Sequence, residues 1–346
     1  MWSIKILILL TNLIIGVLLL ENYEETNFID LGDDDFCPNG SGSQEESCGF
    51  DLLQGFNFGM KSVFFRLYNG EKKDVEAYKD AFIKDKNSLS MFTKEFGYNS
   101  SQKSIFFIHG FIDSANRHLS KTLASAFLSR GTYNVFDIDW SSMNSPPYFL
   151  AIQNLKLVGY AVAHFFELAI EKKLINASDI FLIGHSLGAH LAGYIGRNMI
   201  EKLPVIVGLD PAGPEFYTNL TARKLSYNDA KIVHYIETNR FVFGTNYDLG
   251  HANYKFNSEA IHQPGCYYPG CSHFRAVEYY AEAVSHPGNF IAVNCESYDH
   301  FIESNNCNST SIIGFPVDIS AKGLYYITTN EEKPFGRGEE GIKLSH

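Results

Sequence analysis

Ser186 lies in Gly184-His185-Ser186-Leu187-Gly188, preceded by the apolar run Ile180-Phe181-Leu182-Ile183 and followed by Ala189-His190-Leu191-Ala192-Gly193-Tyr194-Ile195. A short strand, then Gly-x-Ser-x-Gly, then a helix is the order of a nucleophile elbow. The turn is so tight that Cβ atoms at Gly184 and Gly188 would crowd it. It lifts the serine hydroxyl above the sheet, where it can attack a carbonyl carbon. A serine alone is a weak nucleophile and needs a base to take its proton and an acid to orient that base.

With such an elbow the acid, then the base, follow the serine in the chain. Asp210 comes directly after Val205-Ile206-Val207-Gly208-Leu209, and Pro211 ends that strand. Alone, Asp210 reads equally as a turn aspartate before a proline; its place one strand beyond the elbow favours the acid. Seven histidines follow it. His234 sits inside an apolar strand and reads as structural. Spacing leaves His251, His262 and His273 open. His273, two residues after Cys271, is placed on a loop ahead of a helical stretch from Phe274 to Val284, where a disulfide would steady it. An oxyanion needs two backbone N–H donors. Leu187, next to the serine, offers one. His109-Gly110-Phe111, after the run Ile105 to Ile108, offers the N–H of Phe111, although His-Gly after a strand is by itself an ordinary turn.

These residues need a rigid frame. Strands are predicted at Ser62 to Tyr68, Ser104 to Ile108, Asn134 to Ile138, Ile180 to Ile183, Pro204 to Leu209 and Ile232 to Ile236. Helical patterns fall at about Leu119 to Arg130, Ile152 to Lys173 and Leu187 to Ile200. Alternating strands and helices predict an α/β-hydrolase fold: a mainly parallel sheet covered on both faces, in a single domain. The run Ile105-Phe106-Phe107-Ile108 is apolar without alternation, as a strand buried on both faces should be. No internal repeat is visible, and the residues after Cys307 are too few for a second domain.

The 346 residues are 45% hydrophobic and 19% charged, as in a folded globular protein. Lys5 precedes an apolar run from Ile6 to Leu20, too short to span a membrane comfortably and suited to a signal peptide over about residues 1–20. Residues 21–55 read as an acidic tail or pro-segment, and 56–346 as the folded domain. Sequons at Asn39, Asn99, Asn176, Asn219 and Asn308 agree with secretion. So do six cysteines, whose proximity in sequence suggests the pairs Cys37–Cys48, Cys266–Cys271 and Cys295–Cys307. The net charge of −11 argues against nucleic acid and against attraction to anionic lipid, but leaves neutral and zwitterionic lipid open.

At these residues the chain resembles the pancreatic-lipase-like family of secreted animal lipases. The resemblance covers about residues 60–345 and rests on Phe107-Ile108-His109-Gly110-Phe111, Asp137-Ile138-Asp139-Trp140, Ile183 to His190, Gly208 to Pro214, Gln263-Pro264-Gly265-Cys266 and Cys271-Ser272-His273. It implies a triad of Ser186, Asp210 and His273, so choosing His273 among the histidines, and an oxyanion hole at Phe111 and Leu187. Within the family the chain is most similar to the insect phospholipase A1 group, including the wasp-venom enzymes. Only Tyr267, Tyr268, Pro269 and Gly270 lie between Cys266 and Cys271, too few for the amphipathic lid helix of triacylglycerol lipases. The loop containing Tyr247 to His262 is short too, and the ending Gly341 to Leu344 is similar to that group's.

The resemblance therefore implies hydrolysis of the sn-1 ester of phospholipids at a membrane or micelle surface. No cofactor or obligate protein partner is implied. Triacylglycerol lipase or galactolipase activity is the neighbouring alternative, and a non-catalytic lipid-binding protein a remoter one, since such proteins lose a triad member. No C-terminal β-sandwich domain is expected. One acid in Thr221 to Asp229, where calcium-binding relatives have more, implies no metal. Glu237 stands where relatives often have histidine, which the sequence does not explain.

Overall fold

The computed structural model describes residues 62–344 except 86, 217–222, 258–261, 269 and 305–306. The signal peptide, the acidic tail, Cys37–Cys48, Asn39, Asn219 and Pro269 lie outside the described residues.

Eleven strands form one sheet: β1 (Phe64–Tyr68), β2 (Tyr78–Phe82), β3 (Lys103–Ile108), β4 (Tyr133–Asp139), β5 (Ile180–His185), β6 (Val205–Leu209), β7 (Ile232–Glu237), β8 (Ala252–Phe256), β9 (Ile291–Cys295), β10 (Cys307–Ile312) and β11 (Gly323–Ile327). Their order is β10-β9-β11-β8-β7-β6-β5-β3-β4-β1-β2. The block from β11 to β4 is parallel, and on each side two further strands are added by antiparallel pairing. The long helices are α1 (His118–Arg130), α2 (Tyr148–Glu171), α3 (Leu187–Asn198) and α4 (Cys271–Ser285).

The unbroken apolar run of β3 has its physical reason here. Side chains alternate across a strand. Phe106 and Ile108 join the core under α2 and α3, whereas Ile105 and Phe107 join the core under α1 and α4. Helix α2 is long and apolar enough to cross a membrane, but its buried face, including Leu155, Val158 and Phe166, belongs to the first core. It meets α3 closely at Gly159, where a Cβ would stand 2.5 Å from that of Tyr194.

Five strands escape the sequence reading, each for a local reason. Edge strand β2 is Tyr-Lys-Asp-Ala-Phe with one buried residue, and edge strand β10 is largely polar and exposed. In β8 the buried Asn253 and Lys255 interrupt the apolar pattern. Strands β9 and β11 lie between β8 and β10 in the sheet. The residues after Cys307 thus complete this sheet, with β11 placed between β8 and β9. His234, on β7, donates its Nε2–H to Asp318 O at 3.1 Å, a structural contact.

Candidate active site

The site stands at the carboxyl ends of β5 and β6, where open α/β sheets place their ligands. Ser186 caps the N-terminus of α3 with φ 56° and ψ −122°, a strained conformation for a residue with a Cβ. Its N–H donates to Leu209 O at 3.0 Å, tying the elbow to the end of β6. A Cβ at Gly184 would stand 2.2 Å from Gly188 O, and one at Gly188 would stand 2.1 Å from Ile108 O. Both glycines are therefore fixed by contact between backbones.

Asp210 follows β6, is wholly buried and also has positive φ, at 42°. Its Oδ2 accepts from His273 Nδ1 at 2.5 Å, and its Oδ1 accepts from the N–H groups of Thr238 and Asn239, both at 2.9 Å. Gly244 leaves room for this carboxylate: a Cβ there would come within 2.6 Å of it. No sequence signal marked Thr238, Asn239 or Gly244. Two of the three expected triad members are thus hydrogen-bonded to each other.

His273 corrects one expectation. It does not sit on a loop but is the third residue of α4, which begins at Cys271. The cause is local: the Cys266–Cys271 disulfide and Gly270, at φ 88°, start the helix ahead of the histidine. The Cys295–Cys307 disulfide is also formed and joins β9 to β10. The other two candidate bases stand elsewhere. His251 Nδ1 accepts from Val233 N–H at 3.0 Å, and His262 is exposed, whereas Asp210 takes its hydrogen bonds from Thr238, Asn239 and His273.

His185 links the elbow to His273. Its Nε2–H donates to His273 O at 3.0 Å, and the two rings lie 4.5 Å apart. Burial, and then the neighbouring His273, push its pKa well below the ordinary imidazole value, which keeps it neutral. On the opposite side, Asn144 Nδ2 donates to Gly110 O at 2.7 Å and the His109 ring faces the same oxygen at 3.1 Å through Nδ1. Trp140 N–H donates to His109 Nε2 at 3.2 Å, so the ring proton is on Nδ1. A trans peptide points its N–H opposite its C=O, so these contacts aim the N–H of Phe111 away from Asn144. A Cβ at Gly110 would stand 2.8 Å from Ser186 Cβ, which places this peptide beside the serine. Leu187, the first residue of α3, presents its N–H at the positive end of that helix.

A further buried imidazole braces the elbow helix. His190 Nε2–H donates to Ala212 O at 2.8 Å, and its Nδ1 accepts from Leu225 N–H at 3.0 Å. Burial pushes its pKa down to about 3. An unfolded histidine titrates near 6.5, so below that pH the unfolded chain binds the proton that the folded one refuses. Stability is therefore full above about pH 6.5 and falls as the pH drops from there towards 3. Denaturant unfolding of wild type and His190→Gln at pH 7.5 and 4.5 checks this: the wild type should lose more stability on acidification than the variant, and equal losses would contradict it.

Two charged residues flagged in the sequence have partners. Asp229 pairs with Arg197 at 2.7 Å and caps Ser226 N–H at 2.8 Å. Glu237, at the end of β7, lies opposite Lys255 of β8, with 3.7 Å between the charged atoms, and burial raises its pKa to about 7.

The family model described as Lipase matches residues 62–335, most of the described chain. The chain belongs to the lipase family. Among individual relatives, "Phospholipase A1 2" of Polistes dominula is 31% identical over 298 residues, covering 79% of this chain and 93% of that protein. "Phospholipase A1" of Vespa velutina is 34% identical over 242 residues, covering 65% of this chain and 76% of that protein. Mouse alpha/beta hydrolase domain-containing protein 10 aligns structurally with TM-score 0.26 and 14% identity, covering 40% of this chain and 70% of that one. As a member of the lipase family the protein is a lipolytic carboxylic ester hydrolase with an α/β-hydrolase fold.

The lipase's site is rimmed by exposed apolar side chains. Phe243 and Phe274 pack 5.7 and 6.2 Å from the His273 ring, measured between centroids. Phe241 and Val242, adjoining Phe243, are exposed, as is Ile112 beside Phe111. Within the four-residue segment between Cys266 and Cys271, Tyr267 is 84% exposed and donates its hydroxyl proton to Glu331.

Proposed function

We propose that this lipase is a secreted phospholipase A1. Ser186 attacks the sn-1 ester carbonyl while His273 takes the hydroxyl proton. Asp210 holds the imidazole and offsets its charge once it is protonated. The N–H groups of Phe111 and Leu187 receive the oxyanion, each contributing about 3 kcal/mol to the transition state. The tetrahedral species collapses, His273 returns the proton to the leaving lysophospholipid, and an acyl-Ser186 ester remains. Water, deprotonated by His273, then attacks that ester and releases the fatty acid.

The observation that carries the choice of substrate is the cover over the site. Tyr267, Tyr268, Pro269 and Gly270 cannot span it with an amphipathic helix. That leaves room for a polar head group, while the apolar rim of Phe241, Phe243 and Phe274 suits contact with acyl chains at a membrane or micelle surface. The similarity to proteins named phospholipase A1 supports the same reading. The scheme uses no metal, cofactor, nucleic acid or protein partner. Secretion fits the two disulfides and the exposed positions of Asn99, Asn176 and Asn308, which we propose are glycosylated.

Purified protein given phosphatidylcholine with different acyl chains at sn-1 and sn-2, and separately trioleoylglycerol, tests the proposal. The expected result is release of the sn-1 fatty acid with little attack on trioleoylglycerol. Release only from sn-2, or only from trioleoylglycerol, would overturn it.

A further inference from the structure

Gln263 opens the Gln-Pro-Gly-Cys segment that the catalytic scheme leaves without a role. It is 98% buried, being 2% exposed, between the loop that holds Asp210 and the helix that carries His273. Its Nε2 donates to Thr238 O and to Phe256 O, both at 2.9 Å. Its Oε1 accepts from Asn257 Nδ2 at 2.6 Å, and its backbone N–H donates to Ser272 Oγ at 2.8 Å. The amide has one workable orientation, because a flipped one would set Oε1 against two carbonyl oxygens.

Two of these bonds touch the catalytic frame. Thr238 O and Asn239 N–H belong to one peptide plane and point in opposite directions. Pinning the oxygen with Gln263 therefore aims the N–H, which donates to Asp210 Oδ1 at 2.9 Å. The bond to Ser272 anchors Gln263 to the residue directly before His273. The residue whose side chain orients the support of the acid is thus fastened, through its own backbone N–H, to the helix of the base.

We infer that Gln263 is a positioning residue for the Asp210–His273 pair, setting their register by joining the strand-end loop to α4. It touches no substrate and acts through Asp210. The inference rests on the triad reading above, and it extends that reading to a residue outside the triad.

The test uses the full chain and the water-soluble ester 4-nitrophenyl butyrate, so that it does not depend on which lipid is the substrate. Gln263→Met keeps the length of the side chain and removes both donors. Because misplacement by about an ångström costs about 10²-fold, kcat should fall by about that factor while KM changes by about twofold or less. In an Asp210→Asn background the same substitution should change kcat by about twofold or less, since residues acting as a unit are non-additive. The low-field proton resonance of the His273 Nδ1–H···Asp210 bond should also move upfield or vanish in Gln263→Met. Equal losses in both backgrounds, a KM effect alone, or an unmoved resonance would overturn the inference. So would failure of both Gln263→Met and Gln263→Ala to fold, which would make the residue structural. Unreduced hydrolysis by Ser186→Ala in the same assay would instead mark failure of the triad reading.

Discussion

Ser186→Ala is expected to lower kcat by on the order of 10⁶-fold, the loss seen when the nucleophile of a serine triad is removed. The substitution deletes only Oγ. The Cβ that meets Gly110 remains, as do the backbone bond from residue 186 to Leu209 O and the first turn of α3. Alanine tolerates positive φ no worse than serine, so thermal unfolding should be unchanged within about 1 kcal/mol. Binding to phospholipid micelles should persist, because the apolar rim is untouched. Hydrolysis and micelle co-sedimentation measured on the same preparation separate the two effects. Near-normal turnover in a folded variant would remove Ser186 from the mechanism.

Asp210→Asn should reduce kcat by about 10⁴-fold, by analogy with other serine triads. The local bonds say why. Oδ1 of residue 210 accepts two backbone N–H groups, from Thr238 and Asn239, so an asparagine would turn its carbonyl oxygen to them. Its NH₂ would then face His273 Nδ1, which could only accept. The ring proton would move to Nε2, and that nitrogen could no longer take a proton from Ser186. The variant should fold, since the replacement is isosteric and keeps the bonds to Oδ1. Steady-state kinetics alongside near-UV circular dichroism check this, and a loss below about tenfold in a folded protein would contradict the orienting role of Asp210.

The two predictions draw on different depths of information. Ser186, Asp210 and the central strands were legible because a parallel sheet buried on both faces writes short apolar runs, and an elbow writes its glycines. His273 was one of three candidates from spacing, and needed a family resemblance to single it out. Its helix starts at Cys271, three residues ahead of the expected Phe274, since Gly270 and the disulfide set that boundary rather than helical periodicity. What stayed hidden depends on contacts distant in sequence. Gly244 matters because it lies against the Asp210 carboxylate, and Thr238 and Asn239 because their N–H groups reach it. Edge strand β10 is hidden because its exposed face is polar, and β8 because buried polar residues such as Lys255, opposite Glu237, erase the apolar pattern. Gln263 was visible as part of a motif, but only the hydrogen bonds of its amide give it a task.

The most direct test of Ser186 as nucleophile is the site of covalent capture. Protein treated with a fluorophosphonate in slight excess, digested and sequenced by mass spectrometry should carry a single adduct on Ser186, in proportion to the activity lost. An adduct on a different residue accompanying that loss, or full modification of Ser186 with hydrolysis intact, would contradict it.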